Sequence, residues 1–210
     1  MDGELALGAF PAVQKFWEGG EFKFMGSGIR YHKIAFFSVK VYDLGLYVET
    51  DAARAALQKL KDAGRLGDYN DDVMCTALLE GGFNKLLQIH MLRSVALGDF
   101  FDSLNESLEP RLAKTGDTGL MKPFEDWFQG KSLSNGSNML TMWEGAGSGA
   151  LVGDLFAPGE TDFASRKPGL HIDSANFSHA LFDIYMGTDD PKIPPAKKLW
   201  AQSARDLIGV

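Results

Sequence analysis

The 210-residue sequence predicts an α+β fold, an antiparallel β-sheet with a layer of α-helices packed on one face. Three observations carry that expectation. Strand-forming runs come in neighbouring pairs rather than in regular βαβ alternation. Glycine-rich joints sit between the paired runs. From residue 97 onward apolar residues recur at three- and four-residue steps, the mark of helices that bury one side.

Glu21 to Glu49 is β-branched, aromatic and weakly alternating, with Gly26, Gly28 and Gly45 as breaks, and reads as strands whose turn is not marked. Asp51 is placed to cap a helix over 52–63, with Leu57 and Leu60 on one side and Gly64 and Gly67 at its end. "DVMCTALLE" (72–80) and "NKLLQIHML" (84–92) are short apolar segments joined through Gly81-Gly82, a hairpin signal. Leu97, Phe101, Leu104, Leu108 and Leu112, with Asp102, Glu106 and Glu109 between them, form the strongest amphipathic helix. A shorter helix covers about 119–129 through Leu120, Phe124, Trp127 and Phe128. "NMLTMWEG" and "ALVGDLFA" make a second hairpin around "EGAGSG", and 157–170, with Pro158, Gly159, Pro168 and Gly169, reads as loop. Ser174 caps a helix carrying Phe177, Leu181, Ile184 and Tyr185 that stops at Gly187. A last helix starts at Pro194-Pro195 and uses Leu199, Trp200, Ala204, Leu207 and Ile208. No repeat, low-complexity tract or long linker divides the chain, so one domain is expected, residues 1–20 being an extension to a 21–208 core.

Composition narrows the function. A formal charge of −7 argues against a nucleic-acid partner, which calls for a clustered basic face. No apolar run reaches the roughly 18 residues of a transmembrane helix. The lone Cys75 excludes an internal disulfide framework and leaves the compartment open. The first twenty residues have neither a secretory layout nor the Arg/Ser richness of a transit peptide. Fifteen Phe and eight Met fit either core filling or an adaptable apolar cavity.

Familiar catalytic motifs fail on context. "GAGSGALVG" (145–153) is flanked by strands on both sides and lacks a following helix or Lys-Ser/Thr, so it reads as a hairpin turn rather than a nucleotide loop. His32, His90, His171 and His179 have no metal-ligand spacing, and no metal or other cofactor is expected. There is no G-x-S-x-G elbow, and Cys75 has no local base. Acidic pairs such as Asp71-Asp72 and Asp189-Asp190 sit in turn-like contexts and read as solvated charges.

The exception is "GSGIRYHKIAFFSVKVYDLGLYVE" (26–49), a strand-forming run that carries Arg30 and, twelve residues on, Tyr42. With strict alternation Arg30 shares a face with His32, and Tyr42 with Lys40 and Leu44, opposite Val41 and Asp43. An arginine inside an apolar sheet face is costly unless paired. Its fork accepts a carboxylate at two points and a phenol can donate a third bond. From spacing alone, the partner is either a carboxylate of the chain itself, with Asp43 the nearest, or a ligand.

"GSGIR…VKVYDLGLYVE" resembles the opening of the chalcone isomerase family. "GGFNKLLQIHMLRSV" is similar to that family's strand leading into its pocket helix, and "FSHALFDIYMGTDDPKIPPAKKLWAQSARDLI" to its closing segment. The resemblance spans most of 21–208, most loosely over 114–170. It implies a chalcone isomerase-like open-faced β-sandwich with a ligand cleft between sheet and helices, and a plastid or cytoplasmic setting. The family includes isomerases that close a chalcone to a flavanone, fatty-acid-binding members, and non-catalytic helpers. Arg30 matches the family arginine, and Tyr42 stands where isomerases place a threonine, as in the fatty-acid-binding members. The isomerases' tyrosine, lysine and asparagine fall on Phe100, Ser103 and Ser107, and no Lys or Tyr occurs from 94 to 112. Positioned groups of this kind commonly supply roughly hundreds- to thousands-fold in rate.

The resemblance therefore implies a non-enzyme that binds a fatty acid or similar hydrophobic carboxylate, with Arg30 and Tyr42 on the head group. Val41, Leu44, Val95, Phe100, Ser103, Leu104 and Ser107 would line the cleft, and His32 its mouth. Lys40 would extend the anionic site, if no bulge inverts the strand's parity. The alternatives are a chalcone isomerase of low or divergent activity, and a ligandless partner protein with a filled cleft.

Overall fold

The computed structural model describes residues 10–17, 20–34 and 36–210. Its sheet is an antiparallel meander of β1 (Val13–Lys15), β2 (Glu21–Ile34), β3 (Phe37–Glu49), β4 (Lys85–Met91), β5 (Asn138–Trp143), β6 (Leu151–Phe156) and β7 (Leu170–Ile172), each strand paired with the next. The helices are α1 (Thr50–Asp62), α2 (Asp71–Glu80), α3 (Leu97–Ala113), α4 (Met121–Phe128), α5 (Ala175–Met186) and α6 (Pro194–Ile208). The α+β expectation holds, and so does the placement of the helices. One apolar cluster joins the helices to one face of the sheet. The other face carries a separate cluster of strand and loop side chains, among them Phe16, Phe22, Tyr47, Phe156 and Phe163, with no helical member among the described residues.

Several elements differ from the sequence reading. Residues 71–80 are a helix, not the first arm of a hairpin. Asn70 caps it by accepting from the Val73 amide at 3.0 Å, Asp71 and Asp72 occupy its first turn, and Met74, Cys75 and Leu78 are buried. Gly81-Gly82 then joins α2 to β4, and the buried Lys85 ammonium donates to the Leu79 and Gly81 carbonyls, both at 2.8 Å, closing the helix end. Helix α1 starts two residues earlier than expected, with Glu49 as N-cap and Asp51 in its first turn, bonded to Arg54. The short strand β1 belongs to the segment read as an extension, of which residues 1–9, 18 and 19 lie outside the described residues. Strand β7 begins at the end of the segment read as loop. The "EGAGSG" turn does join a hairpin, Trp143 facing Leu151.

Gly26 and Gly28 are not breaks but seats for α6. A Cβ on Gly28 would stand 2.8 Å from both the Ala196 Cβ and an Ile193 methyl, and Gly26, at φ +121°, accepts the Trp200 indole N–H at 2.8 Å through its carbonyl. Helix α6 is tied to α2 as well, by Lys197–Asp72 at 2.6 Å and Arg205–Asp71 at 3.0 Å.

Candidate functional site

The β2–β3 pairing brings Arg30 directly opposite Tyr42, and the register shifts between Arg30 and Tyr31, so that Tyr31 faces Lys40. Val41 is the extra residue of a β-bulge. The bulge inverts the alternation beyond it. Val39 and Val41 therefore line the same cleft as Arg30, His32 and Tyr42, whereas Lys40 is exposed and outside it. Lys40 does not extend the anionic site.

The cleft has a volume of about 710 Å³ and lies between this part of the sheet and α3. Val95, Phe100, Ser103 and Leu104 line it. Leu44 and Ser107 do not. Leu44 is fully buried in the helix-side core, opposite Gly28 where α6 is seated. Ser107 lies one helical turn beyond Ser103, where its carbonyl accepts from Arg111 at 2.8 Å and Arg111 in turn holds Asp183 at 2.6 Å. A smaller apolar space of about 10 Å³ continues behind Phe100, Leu104 and Tyr185, among Leu87, Ile89, Phe124, Met139 and Leu181.

Two groups that the sequence reading did not place in the site complete it. Tyr185, on α5, puts its hydroxyl 3.2 Å from that of Tyr42, with both side chains buried. Lys192 follows α5, its backbone amide donating to the Ile184 carbonyl at 3.0 Å, and its ammonium reaches across to the Ser103 carbonyl of α3. A phenol and an amine absent from residues 94–112 thus arrive from a distant segment. Tyr185 carried a signal, because a tyrosine in an apolar helical stripe needs a partner for its hydroxyl. Lys192, between Pro191 and Pro194, carried none.

The electrostatics follow from burial and from Arg30. Burial pushes the Tyr42 and Tyr185 phenols upward, in Tyr42 well above the ordinary range, so both are neutral donors at physiological pH. Burial, then the Arg30 charge, pull the Lys192 ammonium down to about 8. Arg30 itself is half-buried and makes no hydrogen bond or ion pair with a described residue. Asp43 does not neutralise it. That carboxylate sits on the opposite sheet face beside Ser27 and His90, where burial raises its pKa. Asp99, Asp102 and Glu106 are exposed along the α3 rim, with Arg93 near them. The inner wall is cationic and phenolic, the rim mixed. Phe100 meets Tyr42 edge-on, ring centroids 6.4 Å apart, and forms the apolar wall beside the two hydroxyls. Among the described residues no three His, Cys, Asp or Glu side chains are grouped to hold a metal ion.

Comparison with known proteins places this architecture. Residues 20–201 match the family described as chalcone isomerase like. No curated protein matches the chain by sequence. Among solved structures, a fatty-acid binding protein of Arabidopsis thaliana has the same fold, with a TM-score of 0.73 and 17% identity over 96% of this chain and 95% of that one. The chain belongs to the chalcone isomerase-like family.

Proposed function

We propose that this member of the chalcone isomerase-like family binds a fatty acid or similar long apolar carboxylate without transforming it. The observation that carries the reading is Arg30, a half-buried guanidinium with no hydrogen bond or ion pair to a described residue, opening on a cleft of about 710 Å³. A half-buried charge in this state favours a ligand that brings the counter-charge. Its fork suits two-point binding of a carboxylate. Of the two hydroxyl protons in the Tyr42–Tyr185 pair, one is used between the rings and the other is free to donate to the same oxygens. Lys192 adds a second cation at the same wall. The chain of the ligand would run against Val41, Val95, Phe100 and Leu104, gaining about 0.8 kcal/mol per buried methylene. The fold shared with a protein described as fatty-acid binding supports the same reading.

The test is native mass spectrometry of the purified protein with denaturing extraction, beside Arg30→Ala. A fatty acid carried by the parent and lost from the variant is the expected result. A parent that arrives empty and takes up no added fatty acid overturns the proposal.

A second reading is favoured by one observation. Tyr185 and Lys192 restore a phenol and an amine to the cleft, groups whose absence from residues 94–112 spoke against isomerisation. A divergent isomerase predicts turnover of a chalcone well above the buffer rate, abolished by Arg30→Ala and reduced by Lys192→Met. A ligandless partner role predicts a filled cleft, and the open volume does not support it.

A further inference from the structure

Beyond the body of the sheet, β2 and β3 continue as a ribbon of their own. β4 pairs with β3 only from Tyr42 to Val48, and β1 pairs with β2 only from Glu21 to Lys23. The outer pairs, Tyr31 with Lys40, His32 with Val39 and Lys33 with Ser38, have no third strand beside them among the described residues. At the end of this ribbon Phe36 is 98% exposed and Phe37 74% exposed, the two most exposed large apolar side chains among the described residues. Tyr31, further down, is 45% exposed. Leaving two adjacent phenylalanines in water is unfavourable, and such a placement marks an interaction site.

The charge around the tip is as uneven as its hydrophobicity. The chain carries a formal charge of −7, yet residues 27–42 contain Arg30, Lys33 and Lys40 and no acidic residue. Lys33 and Lys40 are exposed. The ribbon also has two unlike sides. Phe37, Val39 and Val41 alternate onto the side that lines the cleft, leading from the tip to Arg30, whereas Tyr31, Lys33 and Lys40 occupy the other.

We propose that the outer β2–β3 ribbon docks the protein on an anionic lipid bilayer, with Phe36 and Phe37 inserted at the acyl boundary and Lys33 and Lys40 at the phosphate head groups. The cleft mouth then faces the membrane surface, and the Phe37–Val39–Val41 side forms an apolar path between bilayer and cleft. The docking stands on the ribbon alone; its use for loading and unloading a lipid carboxylate rests on the function proposed above. A lipid surface fits better than a protein partner. Two side chains at the end of a ribbon two strands wide offer far less than the roughly 800 Å² per partner of a stable protein interface. An aromatic tip beside lysines is what a membrane interface rewards, since aromatic rings settle at the head-group level and each lysine near an anionic surface strengthens binding about fivefold.

The experiment is co-sedimentation of the full chain with vesicles of phosphatidylcholine, with and without a minority of phosphatidylglycerol. It compares the parent with Phe36→Ser/Phe37→Ser, Lys33→Glu/Lys40→Glu and Arg30→Met. The parent is expected to sediment with anionic vesicles. The phenylalanine pair should weaken this about tenfold or more, as expected when two apolar side chains no longer insert. The lysine pair should lose at least the roughly thirtyfold contributed by two charges. Decanoate affinity in vesicle-free buffer should be unchanged by either pair. Arg30→Met should still bind vesicles while losing decanoate, so failure of the cleft reading and failure of docking give different results. A parent that stays in the supernatant, or a phenylalanine variant that sediments like it, overturns the proposal. So does a parent dimer in analytical ultracentrifugation that the phenylalanine substitutions dissolve, which would make the tip's occupant a second copy of the chain.

Discussion

Lys192 offers the sharpest test of the cleft's electrostatics, because it is the group lining the cleft whose charge changes near neutral pH by a known cause. Its pKa lies near 8 in the empty protein, lowered by burial and then by Arg30. Below that value it is an ammonium beside the proposed head group, and above it an amine. A bound carboxylate favours the ammonium and raises its pKa, so anion affinity should fall as pH climbs from about 7.5 to 9.5 and then level off. Arg30 remains a cation, and Tyr42 and Tyr185 remain neutral because burial has pushed their phenols up. Glu106 and Arg111 also act on Lys192. For unit charges about 5 Å apart at an effective dielectric constant of about 50, suited to a half-exposed group, the Coulomb energy is about 1.3 kcal/mol, roughly a ninefold change in Kd. Titration calorimetry with decanoate in constant ionic strength would measure it. The parent should lose about that factor across the window, and Lys192→Met should bind weakly and equally at both ends. A parent with flat affinity, or a Lys192→Met variant that keeps the slope, would refute the placement of Lys192 on the head group.

Two further outcomes concern stability. Lys85 is fully buried against the Phe83 and Trp143 rings, and burial pulls its ammonium down to about 7. Folding then releases a proton between pH 7 and the higher pKa of the unfolded chain, so stability contributed here rises as pH rises through that interval. The gain should be about 2 kcal/mol between pH 7 and 9, seen in urea unfolding and lost in Lys85→Met; a Met variant with the parent's slope would place the effect elsewhere. Gly28→Ala should cost about 1–3 kcal/mol, because the new methyl meets the Ala196 Cβ and Ile193 at 2.8 Å and α6 must shift. An unchanged unfolding midpoint for that variant would mean that α6 is not seated on the strand as described.

The misread helix α2 shows the limit of short-range pattern. "DVMCTALLE" is apolar enough for a strand, and the hairpin reading followed from the two glycines after it. The helix was legible only in the cap, Asn70 followed by Asp71 and Asp72, and its burial against α6 supplied the rest. By contrast α3, α5 and α6 were legible because each repeats its apolar positions over three or more turns between strong stop signals.

By itself the sequence determined the α+β class, the hairpin around "EGAGSG" and the strand-forming run that carries Arg30 and Tyr42, because alternation and helical periodicity are local and survive in the unfolded chain. Tertiary structure decided which way the site faces and what completes it. The bulge at Val41 reversed the alternation, turning Val39 and Val41 into the cleft and Lys40 away from it. Tyr185 reached Tyr42 across 143 residues, and Lys192 reached Ser103 across 89, through the docking of α5 and its following loop over the sheet. No local pattern encodes such meetings, because they depend on how separately legible elements pack against one another.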